Sequence, residues 1–265
     1  MKGSPALEIR DVTVRFGGLT AVRDVGVAVA PGEILGLIGP NGAGKTTLLN
    51  AISGLVRVTR GEMLYGSPPV DLATLPGSSR ARLGIARTFQ DSRLVEDLTV
   101  LDQLLSGAFA RRERANLGRA LLRTRSYLAE ERDLRSRAAS ILADLQLNSQ
   151  ADVPVREVPA PTRRMVDLAR ALMIEPSLLL LDETCAGMTA DQKELIAAYV
   201  ERLSPERGVT VVFVEHDIGF VRRLAQRIVI MAEGGVMASG RPDDVLGRAD
   251  VLETYIGKSA LGAVG

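Results

Sequence analysis

The chain has 265 residues, 46% of them hydrophobic, which is ordinary for a soluble globular protein with one large core or two smaller ones. Lysine and arginine number 33 against 32 acids, and this formal charge of +1 gives no global indication of a nucleic-acid binder. The single cysteine excludes an internal disulfide framework and a cysteine-rich metal cluster. Met1 to Arg10 lack a signal-peptide pattern, and no apolar run approaches the roughly 18 residues of a membrane span, so we expect a cytoplasmic protein that meets a membrane only through a partner.

The N-terminal region alternates between apolar and polar side chains. Leu7 to Phe16 and Ala21 to Ala30 both show this period of two, which predicts half-buried strands with a turn at Gly17-Gly18. The chain therefore begins with a predicted antiparallel β subdomain.

A phosphate-binding motif follows these strands. Gly39 to Thr47 reads Gly-Pro-Asn-Gly-Ala-Gly-Lys-Thr-Thr and matches G-x-x-x-x-G-K-[ST] without a mismatch. The apolar run Glu33 to Ile38 predicts a buried strand before the motif, and Thr46 to Ser53 can continue as a helix after it. This context separates the motif from the alternative, a glycine-rich turn without a ligand.

The residue types of the motif suit a bound polyphosphate. Gly42 and Gly44 let successive N–H groups point into one hollow, and the helix adds the positive end of its dipole. Lys45 would reach the β and γ phosphates, while the Thr46 hydroxyl would hold Mg²⁺. The predicted nucleotide-binding residues are Gly39, Asn41, Gly42, Ala43, Gly44, Lys45, Thr46 and Thr47, and the predicted nucleotide is ATP.

The middle of the chain changes from strand to helix patterns. Gly61 to Tyr65 predicts a strand, and the Pro-, Ser- and Gly-rich stretch Ser67 to Ser79 after it predicts a surface loop. Ile85 to Phe89 is then predicted to return to the core. From Thr99 to Asn148 apolar residues recur at helical spacing, which predicts an amphipathic helical subdomain. The buried stripe of this subdomain is predicted to comprise Leu134, Ala138, Ile141, Leu142 and Leu145.

Within the helical region, Arg111 to Arg125 holds six arginines against one acid. We interpret this stretch as a solvated helix face, because Glu130, Glu131 and Asp133 follow at once. The alternative is a contact with lipid headgroups or a membrane partner, which charge reversal of Arg111, Arg112 and Arg114 would test.

The second half of the chain alternates helix and strand patterns. A helical stripe at Met165, Leu168, Ala169 and Leu172 stops before Pro176, and Asp243 to Tyr255 is a weak terminal helix pattern. The predicted strands are Ser177 to Glu183, Val209 to Glu215, Arg227 to Met231 and Gly235 to Ser239. Such alternation predicts an open α/β sheet that binds its ligand at the carboxyl ends of the strands.

Polar groups at these strand ends are candidates for catalysis. Asp182, at the end of an apolar strand, is the expected holder of Mg²⁺, and Glu183 could accept a proton from an attacking water. The alternative is that both carboxylates merely end a strand. His216, the only histidine, could hydrogen-bond the γ phosphate or that water, although a lone histidine is usually structural. We interpret Cys185 as a packing residue rather than a reactive thiol, because no cationic or histidine neighbour in sequence would lower its pKa.

Together these motifs resemble a known family. With the phosphate loop, Arg-Thr-Phe-Gln at 87 to 90, Leu-Asp-Glu at 181 to 183 and Glu-His-Asp at 215 to 217, the chain resembles an ATP-binding cassette ATPase in both order and spacing. More narrowly, Arg15 to Gly18, Ile85 to Gln90, and Val214 to Asp217 through Ser239 to Pro242 resemble the LivG-type ATPases of branched-chain amino acid importers. The similarity covers nearly the whole chain, including the helical insert.

The resemblance implies a fold and a domain division. The expected fold is α/β, a phosphate-loop (RecA-like) ATPase core with an N-terminal antiparallel β subdomain and an inserted α-helical subdomain. Residues 1–91 and 163–265 would form the core and β subdomain, and residues 92–162 the helical insert.

The resemblance also implies residue roles. Phe16 would stack on adenine, with a plain core aromatic as the competing interpretation. Gln90 would couple the metal site to the permease contact and contribute to holding Mg²⁺, Glu183 would be the general base and His216 the switch.

One family motif is altered. Where the family has Leu-Ser-x-Gly-Gln, this chain has Val158 to Thr162, reading Val-Pro-Ala-Pro-Thr. In the family this signature contacts the γ phosphate bound to the opposite subunit of a head-to-tail dimer. Pro159 has no hydroxyl and Pro161 has no N–H to donate, although Thr162 could compensate in part. Thr184, where the family favours proline, and Thr189 are smaller departures.

These features predict an importer ATPase. It would act as a heterodimer with a second ATPase that supplies an intact signature, together with two permeases and, indirectly, an external solute-binding protein, at the cytoplasmic face of the inner membrane. The alternatives are a regulatory subunit that binds ATP but seldom hydrolyses it, and a soluble cassette protein acting on nucleic acid, which the single cassette and balanced charge disfavour. Branched-chain amino acids as cargo rest on family analogy.

Overall fold

A computed structural model of the chain describes residues 6–108, 125–248 and 251. Within these ranges the strands are β1 (Leu7–Phe16), β2 (Leu19–Val29), β3 (Ile34–Ile38), β4 (Arg60–Tyr65), β5 (Val70–Asp71), β6 (Ile85–Arg87), β7 (Leu178–Asp182), β8 (Thr210–Val214), β9 (Arg227–Ala232) and β10 (Gly235–Gly240). The described α-helices are α1 (Lys45–Ser53), α2 (Gly77–Arg82), α3 (Val100–Ala108), α4 (Arg125–Asp144), α5 (Ala160–Leu172), α6 (Ala190–Arg207), α7 (Ile218–Leu224) and α8 (Pro242–Leu246). The described residues contain no helix long and apolar enough to cross a bilayer.

A six-stranded sheet with the order β10-β9-β3-β8-β7-β6 forms the centre of the molecule. Its strands are parallel except for β10, which pairs antiparallel with β9. The register pairs Leu37 of β3 and Asp182 of β7 with the same residue, Val214 of β8. The predicted open α/β sheet is confirmed, and the three chain segments that follow β3, β7 and β8 begin at one edge.

The central strands β3, β7 and β8 are buried on both faces of this sheet, which explains their continuous apolar runs. Successive side chains of a strand point to opposite faces. In β7, Leu178 and Leu180 therefore join the core under the β subdomain and α1, whereas Leu179 and Leu181 join the core formed with the other helices. All four leucines are buried.

The predicted N-terminal β subdomain is a four-stranded antiparallel sheet with the order β2-β1-β4-β5. Gly17 turns the chain between β1 and β2 with φ of 57°, a left-handed conformation that glycine adopts without strain. Apolar residues of this sheet pack with α1 on one face of the six-stranded sheet. This packing brings the β1–β2 turn close to the phosphate loop.

The helical region contributes to the core on the opposite face of the central sheet. The predicted stripe on α4 is confirmed: Ala138, Ile141, Leu142 and Leu145 are buried, and Leu134 packs partly buried against them. Arg111, Arg112 and Arg114 lie outside the described residues.

Two predictions of local structure need correction. Ser67 to Ser79 is not a plain surface loop, because it contains β5, a short 3₁₀ turn and the start of α2. The Asp71 carboxylate accepts hydrogen bonds from the backbone N–H groups of Met63 and Ala73 and so stabilises this segment. The next residue, Leu72, is fully buried. The predicted helix from Asp243 to Tyr255 is interrupted, because α8 ends at Leu246 and Gly247 and Arg248 are not helical, while residues 249, 250 and 252–255 lie outside the described residues.

Candidate functional site

The phosphate loop joins the buried strand β3 to α1, as its motif predicts. Two of its glycines are required by close backbone packing as well as by positive φ. A Cβ on Gly39 (φ 151°) would collide with the carbonyl oxygen of Met231, and one on Gly44 (φ 96°) with that of Ala21. Helix α1 starts at Lys45 and has no acid in its first turn, so the positive end of its dipole is left for an anion.

Lys45 places its ammonium inside the loop. Its Nζ donates hydrogen bonds to the carbonyl oxygens of Gly39 (2.7 Å) and Pro40 (2.9 Å), and the residue is 6% exposed. Burial lowers the pKa of Lys45, and the charges of Glu183 and Asp182 partly oppose this shift. The loop thus holds a desolvated cation beside two carboxylates.

A cleft of about 500 Å³, here called the loop cleft, opens above the loop. Its lining comprises Phe16, Leu19, Thr20, Ala21, Asn41, Gly42, Ala43, Gly44, Lys45, Thr46, Thr47, Glu183, Glu233 and Gly234. All predicted nucleotide-binding residues line this cleft except Gly39, which lies against Met231. Sequence reasoning missed the walls made by Leu19 to Ala21 and by Glu233 and Gly234, because these residues carry no motif.

Phe16 is 49% exposed and lines the loop cleft at the end of β1. The interpretation of Phe16 as a plain core aromatic is therefore wrong. The ring lies where a flat heterocycle could stack on it.

Asp182 lies beside Thr46 at the end of β7. The Thr46 hydroxyl donates to Asp182 Oδ1 at 3.4 Å, so two oxygen atoms of the kind Mg²⁺ prefers are adjacent. Among the described residues no cluster of three or more His, Cys, Asp or Glu side chains could hold a metal by itself. This arrangement fits Mg²⁺, which is usually bound by few protein groups together with substrate phosphates.

The other oxygen of Asp182 is paired with a cation that sequence reasoning did not single out. Arg87, at the end of β6, donates to Asp182 Oδ2 at 2.8 Å and to the Ser53 hydroxyl at 2.8 Å. Both side chains of the ion pair are buried, with exposures of 5% and 2%. The sequence signal for Arg87 was its position in the Arg-Thr-Phe-Gln run. Only the pairing of β6 with β7 shows that Asp182 is the partner of Arg87.

Glu183 receives a hydrogen bond on each carboxylate oxygen. Gln90 Nε2 donates to Oε2 at 3.0 Å, and His216 Nε2 lies 2.9 Å from Oε1. The backbone of Glu183 has a φ of 50°, uncommon for a residue other than glycine, and its N–H donates to the Val214 carbonyl at 3.0 Å. The structure thus brings together three predicted catalytic residues from three separate segments.

The segment after Glu183 is also buried. Cys185 is 3% exposed, and burial together with the charge of Glu215 raises the pKa of its thiol well above the ordinary value. This environment favours the interpretation of Cys185 as a packing residue. Glu215 accepts the Cys185 N–H at 2.8 Å, and burial raises the pKa of this carboxyl.

Residues 158–162, where the resemblance leads one to expect the family signature, lie at the start of α5. The helix begins at Ala160 after Pro159, whose side chain makes no capping hydrogen bond, and Pro161 occupies its first turn. Thr162 is only 8% exposed, so its hydroxyl is poorly placed to replace the missing groups.

Comparisons with known proteins agree on one family. The sequence profile of the ABC transporter family matches residues 22–186. The chain is 34% identical to the high-affinity branched-chain amino acid transport ATP-binding protein BraF of Pseudomonas aeruginosa and 33% identical to LivG of Escherichia coli K12, in both cases over 96% of this chain and 99% of the relative. A crystal structure of an ATP-binding cassette of an ABC transporter in its ADP conformation superposes with a TM-score of 0.81 at 28% identity, covering 96% of this chain and all of the other.

Proposed function

Since this chain belongs to the ABC transporter family and is an ATPase of that family, we propose that it is the ATP-hydrolysing subunit of an importer. The cargo would be a small polar solute, with branched-chain or related amino acids favoured by the names of the relatives BraF and LivG. A coverage of 99% of both relatives supports a shared role for the whole length of the chain.

Nucleotide binding is assigned to the loop cleft. The backbone N–H groups of the loop and Lys45 would hold the phosphates, and Phe16 would stack on adenine. Thr46 and Asp182, with Gln90, would hold Mg²⁺, which supplies charge neutralisation at the β and γ phosphates when bound.

Hydrolysis is assigned to Glu183. Its carboxylate would accept a proton from the water that attacks the γ phosphorus, as the bond to the leaving ADP oxygen breaks. The observation that carries this proposal is the pair of hydrogen bonds from Gln90 and His216, one to each carboxylate oxygen, at the edge of the loop cleft. These bonds would hold the Glu183 carboxylate in place beside the bound phosphates.

The test is hydrolysis by the assembly that copurifies with the tagged full-length chain. We expect Glu183→Gln to lower kcat by at least about a hundredfold, the lower range for a general base, while ATP binding persists. Glu206→Gln, a substitution in the last turns of α6, is the control and should leave kcat within about twofold. An equal kcat for Glu183→Gln and wild type would contradict the proposal.

We further propose a heterodimer. Pro159 and Pro161 deprive this chain of the signature groups that would complete a partner's site, whereas its own phosphate loop is intact. A second ATPase would then supply the intact signature to this chain's loop cleft. Two permeases would hold the dimer at the cytoplasmic face of the inner membrane, and an external solute-binding protein would act indirectly.

The altered signature also favours a second candidate, a regulatory subunit that binds ATP and hydrolyses little of it. Partner-dependent hydrolysis that Glu183→Gln removes would favour the importer ATPase. Nucleotide binding without such hydrolysis would favour the regulatory subunit.

We also propose that the chain divides into a core of residues 1–91 and 163–265 and a helical subdomain of residues 92–162. The second boundary falls in the first turn of α5. Apolar residues of α3, α4 and α5 share one core with the central sheet. The proposed helical subdomain would therefore contact the proposed core through an apolar surface.

A further inference from the structure

Two buried threonine hydroxyls form a hydrogen bond next to the residues of the candidate site. Thr88 Oγ1 and Thr184 Oγ1 are 2.8 Å apart, and the residues are 2% and 4% exposed. The backbone N–H of Asp182 donates to the same Thr88 hydroxyl at 3.1 Å. The Thr88 N–H donates to the Leu180 carbonyl at 2.9 Å and so continues the pairing of β6 with β7. The Thr88 side chain is thus held on both sides.

The contact joins the two segments that carry Gln90 and Glu183. Thr88 lies two residues before Gln90, and Thr184 directly follows Glu183. On the exposed side, the same segments are joined by the hydrogen bond from Gln90 Nε2 to Glu183 Oε2. Glu183 therefore lies between a buried and an exposed bond to one neighbouring segment.

The backbone conformation of Glu183 is one that its neighbours must hold in place. Its φ of 50° is a conformation that a non-glycine residue keeps only when its surroundings hold it. The Thr184 hydroxyl restrains the residue that directly follows Glu183. A proline at position 184, which the family resemblance leads one to expect, could not make this contact because it has no hydroxyl.

We propose that Thr88 and Thr184 are positioning residues that hold the base Glu183 in register with Gln90 through their buried hydroxyl bond. The proposal rests on the proposed function, since it takes Glu183 as the base. Neither threonine lines the loop cleft, so their loss should affect the chemical step rather than ATP binding.

The test compares Thr184→Val, which keeps the shape and removes the hydroxyl, with wild type in the copurified assembly. We expect kcat to fall about three- to tenfold, the range that one net hydrogen bond supports, with KM and the Kd for a fluorescent ATP analogue unchanged within about twofold. Thr184→Ser should restore kcat because it restores the hydroxyl.

Thr88→Val should have a larger effect, because it also leaves the buried Asp182 N–H without its acceptor. If the two hydroxyls act as one unit, the double variant should be no slower than Thr88→Val alone. If the loss of kcat in the double variant equals the product of the losses in the two single variants, the shared role is overturned.

Thr210→Val is the matched control. The Thr210 hydroxyl accepts the Gly32 N–H at 3.0 Å, and the residue is 1% exposed, but it lies at the opposite end of β8 from His216. This variant should lower Tm and leave kcat unchanged. If Thr184→Val behaves in the same way, the pair only stabilises the fold and the proposal is overturned.

Glu183→Gln separates the two proposals. A fully active Glu183→Gln assembly would refute the proposed function. Loss of hydrolysis in Glu183→Gln together with an unchanged kcat in Thr184→Val would refute only the positioning role. Should Thr184→Val fail to fold, Thr184→Ala removes the same hydroxyl without adding volume and carries the same expectation.

Discussion

At the scale of single residues, the charge of Asp182 is balanced by Arg87. The sequence predicts that Asp182 holds a metal ion. In the structure, one carboxylate oxygen of Asp182 accepts a hydrogen bond from the Arg87 guanidinium and the other lies beside Thr46. Removing one partner of a buried ion pair leaves the other charge without compensation, which costs more than the pair itself contributes. Arg87 therefore supplies the compensating charge beside a buried carboxylate.

We predict that Arg87→Met lowers the free energy of unfolding by about 3 kcal/mol, because the Asp182 carboxylate would lose its cation while buried. Urea denaturation of the purified chain measures this change. The control is Arg135→Met, which breaks the exposed pair with Glu131 on α4 and should cost less than about 1 kcal/mol. Equal losses in the two variants would contradict the argument.

At the scale of elements, the start of α6 explains one departure from the family pattern. The Thr189 hydroxyl accepts the Gln192 N–H at 3.3 Å, and the Gln192 side-chain oxygen accepts the Thr189 N–H at 3.1 Å. This reciprocal pair is a capping box, which satisfies two donors that the first turn of a helix leaves free. It anchors the far end of the segment that begins at Glu183.

We predict that Thr189→Ala lowers the free energy of unfolding by about 1 kcal/mol, because the N-cap hydroxyl is lost. Thr189→Ser keeps the hydroxyl and serves as the control, with an expected change of less than about 0.5 kcal/mol. Urea denaturation measures both. A serine variant as unstable as the alanine variant would show that the cap is not the cause.

At the scale of the whole molecule, the proposed loss of signature groups at Pro159 and Pro161 bears on the proposed assembly. These groups are expected to complete the site of a partner, so restoring them should act there and not at this chain's own phosphate loop. The change to test is Pro159→Ser with Pro161→Gly in the copurified assembly. We predict a higher rate of ATP hydrolysis, because a second site would gain its hydroxyl and N–H donors.

Lys45→Ala gives the control for that prediction, since it removes the phosphate-loop cation of this chain. Without the reversion, Lys45→Ala should abolish hydrolysis. With the reversion, any hydrolysis that remains reports the partner's site. A reverted assembly that hydrolyses ATP no faster than the original would place the defect elsewhere.

Much of the fold and part of the site could be predicted from local patterns. The phosphate loop is a contiguous motif, the strand before it is a continuous apolar run, and the segment after it can continue as a helix. The strands β7 and β8 were found from their apolar runs, and the acids at their ends follow from the chain direction. The prediction for Ser67 to Ser79 is wrong because its Pro, Ser and Gly content is typical of a loop, whereas its structure depends on hydrogen bonds from the Met63 and Ala73 N–H groups to the Asp71 carboxylate, which composition does not reveal.

By itself the sequence determined the nucleotide loop, most of the strands, and the residues Gln90, Glu183 and His216 as candidates. Only the tertiary structure decided which of these touch, that Phe16 is exposed in the cleft, that Arg87 pairs with Asp182, and that Thr88 meets Thr184. The physical reason is that local periodicity determines which face a side chain occupies, whereas strand order and register determine its partner. In this chain the partner of β6 is β7, whose residues lie more than ninety positions later in the sequence.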